Sequence, residues 1–123
     1  SLSFMPGAFV RLKRRRDFLR VAAARQKAVM PGMVVQACPR PDGGIDPRVG
    51  FTASRKVGNA VLRNRARRRL KALVETMLPE QGMDGTDYVL IARQATPERN
   101  FADLRQDLET ALKRLSRTER SRA

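Results

Sequence analysis

Histidine and tryptophan are missing from this 123-residue chain, and cysteine and tyrosine occur once each. The lack of histidine removes imidazole as a general base and excludes a Ser-His-Asp triad. With Cys38 alone, neither an internal disulfide nor a Cys/His zinc site can form. Cys38 reads instead as a small apolar strand residue. No apolar run approaches the roughly 18–20 residues that a membrane span needs. The opening SLSFMPGAFV precedes its cations instead of following them, so it lacks the order of a secretory signal. These absences point to a cytoplasmic protein.

Acidic residues are also few, 12 against 26 Lys and Arg, which leaves a net charge of +14. The shortage is local. Residues 1–27 hold eight cations and only Asp17, and residues 47–74 hold nine cations and no anion. Residues 28–46 and 75–123 each come to −1. Two blocks that carry the whole excess are the footprint of a localised polyanion site. A membrane surface fits less well, because neither block offers a broad aromatic or leucine-rich insertion face. Asp42, Asp46, Asp84 and Asp87 stand near glycines and read as turn residues. No pair of them has two-metal spacing, the calcium-loop pattern is absent, and GNA and GFTA are not phosphate loops. No catalytic residue and no metal ligand is expected on the protein.

At this length one domain with a modest core is expected, over residues 1–123, with 1–10 and 116–123 flexible. A short helix is predicted from Arg14 to about Arg25, with Phe18, Leu19 and Ala22 at helical spacing. AVMPGMVVQACPR reads as a strand with a bend or bulge at Pro31-Gly32, and PDGGID as a hairpin connection. PRVGFTAS reads as the next strand, with Val49, Phe51 and Ala53 on one face. Asn59 is a candidate cap for a helix that runs to about Leu78 and stops before Pro79. YVLIAR is a buried strand, and FADLRQDLETALKRL is a helix with Leu104, Leu108, Ala111, Leu112 and Leu115 inward. The expected architecture is α+β, one mostly antiparallel sheet of about four strands covered by helices.

The middle helix has two unlike sides. Leu62, Ala66, Leu70, Leu73 and Met77 form one apolar stripe. Asn64, Arg67, Arg68 and Lys71 point away from it, with Arg65 and Arg69 on one flank and Arg63 on the other. Five like-charge pairs three or four residues apart strain such a helix by about 1–2.5 kcal/mol. Arginine suits forked contacts to phosphate and stacking on bases. Asn64 is placed either to bond a sugar or base edge or to brace a neighbouring side chain. Phe18 and Phe51 read as core positions before stacking platforms.

RVGFTASRKVGNAVLRNRARRRLK, residues 48–71, resembles the signature of the bacterial ribonuclease P protein component, with Arg63-Asn64-Arg65 as its Arg-Asn-Arg block. LKRRRDFLRV and DYVLIAR are similar to that family's opening helix and last strand, so the likeness spans roughly residues 11–115. The resemblance implies an α/β sandwich like the second domain of a ribosomal small-subunit protein, with a left-handed β-α-β crossover. It implies a catalytic RNA and precursor tRNA as partners, and Mg²⁺ held mainly by the RNA, which removes the 5′ leader. It assigns Arg63, Asn64, Arg65, Arg67, Arg68 and Arg69 to the catalytic RNA. It assigns Phe18, Arg14, Thr52, Ser54, Arg55 and Lys56 to the leader. Ala22 and Gln36 stand where the family often carries further aromatics. The competing classes are a ribosomal or chaperone-like RNA binder, a DNA-binding regulator and a protein nuclease acting alone.

Overall fold

The computed structural model describes residues 10–41, 44–82 and 85–122. Strands β1 (Val10–Arg11), β2 (Gln26–Val29), β3 (Met33–Pro39), β4 (Arg48–Thr52) and β5 (Thr86–Ala92) form one sheet in the order β1-β4-β5-β3-β2. Helices α1 (Arg15–Ala23), α2 (Ala60–Gln81) and α3 (Phe101–Arg122) complete the α+β fold. The sheet is mixed: β2–β3 and β3–β5 are antiparallel, and β1–β4 and β4–β5 are parallel. The expectation of a mostly antiparallel sheet of about four strands is corrected here. The α2 crossover returns β5 beside β4 in the same direction, and β1 adds a two-residue edge that no sequence period can reveal.

Two connections also differ from expectation. Pro31-Gly32 is the turn of the β2–β3 hairpin, closed by Met30 N donating to Met33 O at 2.8 Å, and no bulge forms within one strand. Residues 41–46 do not join a hairpin, because β5 inserts between β3 and β4; Asp42, like Asp84, lies outside the described residues. Helix α2 continues through Pro79 to Gln81. A proline in the last turn removes a single donor, which is tolerable so near the helix end. Helix α3 runs to Arg122, whereas the apolar spacing that reveals it stops at Leu115. Residues 1–9 lie outside the described residues.

Alternation along the strands makes two cores. On one side Met33, Val35, Val49, Phe51, Tyr88 and Leu90 meet Leu70, Leu73 and Met77 of α2 and Leu104, Leu108, Leu112 and Leu115 of α3. On the other, Val21 packs with Leu12 and Val89, with Phe18, Cys38 and Ile91 against them. Helix α1 is only nine residues long, so this second face is partly open: Val29 is exposed, and Val34, Gln36 and Ile91 are half-buried. Among the described residues no helix is long and apolar enough to cross a membrane.

Asp87, read from sequence as a turn residue, is instead fully buried within β5. Its register partner across the parallel pair is Arg48, whose Nε and Nη2 donate to the two carboxylate oxygens at 2.7 Å each. Arg20 of α1 donates to the same carboxylate from above. Burial alone would push Asp87 up, but the hydrogen bonds from Arg48 and Arg20 outweigh it and hold the carboxyl below its ordinary range. A depressed carboxylate stabilises the fold above its unfolded value and loses that contribution as pH falls through its folded value. Stability is therefore expected to decline below about pH 4. Asp87→Ala should cost about 3 kcal/mol in urea unfolding, because it removes the buried carboxylate that Arg48 and Arg20 share.

Candidate nucleic-acid interface

The turn between β4 and α2 starts the site. Gly58 has φ +143°, and a Cβ there would lie 2.6 Å from Leu62 Cδ1, so a glycine is required where the chain swings into the helix. Asn59 then caps α2, its Oδ1 accepting from Leu62 N at 3.0 Å. Ala66, Leu70, Leu73 and Met77 are buried as their spacing predicts, which turns the opposite side of α2 outward.

That outward side is cationic and unmatched. Among the described residues no ion pair involves Arg63, Arg65, Arg67, Arg68 or Lys71. Arg65 and Arg68 are exposed, and Arg67 is half-buried. Asn64 resolves as a brace, since its Oδ1 accepts from Arg67 Nη2 at 2.6 Å. The buried Nε of Arg63 has no hydrogen-bond partner. Asn64, Arg67, Arg68 and Lys71 share a cleft of about 590 Å³ with Arg11, Phe51 and Val61.

Arg69 points elsewhere. It donates to the carbonyl of Thr96 at 2.7 Å and to that of Arg99, and its guanidinium stands 5.9 Å from the Phe101 ring centroid. Burial, with the nearby charge of Arg65, lowers its pKa from the ordinary value. The loop that Arg69 grips is itself anchored. Thr96 Oγ1 donates to Gly32 O at 2.6 Å, and Asp107 accepts from Gly32 N at 3.0 Å and Arg99 Nε at 2.7 Å. Arg69 thus ties α2 to the β5–α3 loop, and most of its donors face the fold.

The other candidate surface lies across the sheet. Lys13, Arg15, Phe18, Leu19 and Thr52 line a shallow groove of about 400 Å³ between α1 and β4. Phe18 lies directly on Gly50: a Cβ at position 50 would come within 2.5 Å of two of its ring carbons. Gly50 is the seat of the ring. Of the residues assigned to the leader by resemblance, Phe18 and Thr52 meet in this groove. Arg14, at the N-cap of α1, and Ser54, Arg55 and Lys56, in the turn after β4, are exposed outside its lining. Ser54 Oγ accepts from Lys56 N at 3.3 Å, which shapes that turn. Ala22 is exposed and Gln36 half-buried, so neither adds an aromatic surface.

Sequence reading missed Lys13, Arg15 and Leu19 in the groove and Arg11 in the α2 cleft. Arg15 was findable, lying three residues before Phe18 on the same helix side. Arg11 was not, because only the β1–β4 pairing brings it beside Phe51. Among the described residues there is no group of three or more Cys, Asp or Glu side chains that could hold a metal ion.

The contacts of Arg69 lead to a stability test. Arg69→Ala should lower unfolding stability by about 1–2 kcal/mol, from the lost charge-assisted bonds to two carbonyls. Arg68→Ala should leave stability within about 0.5 kcal/mol. Urea titration of both variants checks the contrast.

The family model described as Ribonuclease P matches residues 7–116 of this chain. The Ribonuclease P protein component of Paramagnetospirillum magneticum is 49% identical over 116 residues, covering 92% of this chain and 87% of that protein. That of Gluconacetobacter diazotrophicus is 49% identical over 105 residues, covering 85% and 89%. Among solved structures, the RNase P protein of Staphylococcus aureus superposes with a TM-score of 0.71 at 27% identity, covering 86% of this chain and 94% of that one. The RNase P protein from Thermotoga maritima gives 0.68 at 27% identity, covering 85% and 96%. The signature in residues 48–71, the whole-length likeness and the shared fold agree, and the chain belongs to the ribonuclease P protein component family.

Proposed function

We propose that this protein is the RNA-binding subunit of a ribonuclease P that removes the 5′ leader of precursor tRNA, with the chemistry carried by a catalytic RNA. The observation that carries this reading is the unmatched cationic side of α2, five cations without a carboxylate partner among the described residues. Arg63, Arg65, Arg67 and Arg68 grip the catalytic RNA, with Asn64 setting the pose of Arg67. Arg69 contributes by holding α2 in place. The groove of Phe18 and Thr52, with Lys13 and Arg15 on its rim, receives the single-stranded leader, and Arg14, Arg55 and Lys56 contact its phosphates from either side.

Two surfaces on opposite sides of one sheet let the protein touch both RNAs at once. By neutralising phosphates it lets the strands approach, and it favours Mg²⁺ binding within the RNA, where bare phosphates repel one another. On this reading the Mg²⁺ is held mainly by the RNA. As family traits, the left-handed form of the β4–α2–β5 crossover and the likeness to a ribosomal small-subunit domain belong to this same reading. So does a cytoplasmic location.

Reconstitution with the cognate catalytic RNA tests it. If about six cations meet phosphate, log K should fall with log salt at a slope of about −4 to −5; a slope near −1 rejects the reading. Arg65→Ala should weaken assembly with the catalytic RNA, and Phe18→Ala should weaken affinity for precursor tRNA. The reverse pattern means that the two surfaces are misassigned. Failure to promote precursor cleavage while RNA binding persists would favour a ribosomal or chaperone-like binder.

A further inference from the structure

The cleft between α2 and the β1–β4 edge is more than a patch of charge. It is a solvent-open cleft of about 590 Å³ with two unlike walls. Arg67, Arg68 and Lys71 rise on one wall, all from α2. The floor is different in kind. Arg11 stands over the Phe51 ring, its guanidinium carbon 5.5 Å from the centroid, and Phe51 is only 9% exposed beneath it. A guanidinium within about 6 Å of a ring centroid is attracted to the ring face, and arginine also stacks on exposed bases. Beside it stands Val61, which is 72% exposed although it belongs to the first turn of a helix with a complete apolar stripe of its own.

These features ask for a ligand with two parts. A phosphate alone would need the cations but not the apolar wall or the guanidinium set against a ring. A duplex presents phosphates along its rim and keeps its bases stacked inside, so it would meet Arg68 and Lys71 and leave the floor empty. A single unpaired nucleotide uses everything: its base lies on Arg11 and against Val61, and its flanking phosphates meet Arg67, Arg68 and Lys71. We propose that this cleft takes one extruded nucleotide of the folded RNA partner. The proposal rests on the reading of α2 as the catalytic-RNA surface and specifies what that surface recognises: an unpaired residue, in addition to backbone charge.

Val61 is the discriminating position, because it carries no charge and supports no core contact. Val61→Ser should reduce affinity for the catalytic RNA about fivefold, with an unchanged salt slope. Binding to a fully paired RNA duplex of similar length should not change. Arg11→Gln should reduce catalytic-RNA affinity by more than its one charge explains, measured against Arg68→Gln at high salt, where charge counts least. If Val61→Ser leaves both RNAs unaffected, or weakens both equally, the nucleotide pocket is wrong while the RNA-binding reading survives. A wild-type salt slope near −1 would remove the RNA-binding reading and the pocket with it. Urea titration confirms that each variant is folded before binding is compared.

Discussion

Repulsion along α2 is the constraint on which this structure turns. Four arginines with no ion-pair partner among the described residues stand within six residues of one helix, and Lys71 extends the row. On that side only the bond from Arg67 to Asn64 favours the helix. It forms because the opposite side buries Ala66, Leu70, Leu73 and Met77 against the sheet and α3, and because Asn59 closes its first turn. Arg69 adds a third restraint by reaching back to the loop before α3. The fold thus holds in place a charged surface whose own repulsion opposes it.

The chain is selective about which of its cations stay free. Asp87 takes Arg48 from the anion-free block and Arg20 from the first basic block, and so joins α1 to the sheet. Asp107 takes Arg99 and with it fixes the turn at Gly32. Both carboxylates are buried, and both serve packing between elements. Among the described residues no ion pair falls on the outward side of α2 or in the groove of Phe18. The two buried carboxylates thus sit at joints between elements, while the cations of α2 stay on an open face.

Much of this was legible from the sequence. Period 3.6 located all three helices, Asn59 was identified as a cap, and Asn64, Arg67, Arg68 and Lys71, grouped by helical geometry alone, do share one cleft. What escaped was long-range. The insertion of β5 between β3 and β4 leaves no local trace, so the linker 41–46 passed for a hairpin turn. Asp87 passed for a turn residue because its neighbour Gly85 is one, while its partners Arg48 and Arg20 lie 39 and 67 residues away. Arg69 was placed on a flank of the helix and assigned to the catalytic RNA by resemblance, yet its guanidinium bonds to the loop before α3. Arg11 joined no site until β1 paired with β4. In each case the partner that decided the outcome was supplied by topology.

The most direct test of the central claim is the unfolding free energy of the free protein at low and high salt, for the wild type and for Arg65→Gln. If α2 is strained by its own charges, the wild type gains about 1–2.5 kcal/mol on screening. Arg65→Gln should then be the more stable of the two at low salt and lose that advantage at high salt. Wild-type stability that falls with salt, or an Arg65→Gln variant weaker than the wild type at low salt, would contradict the account.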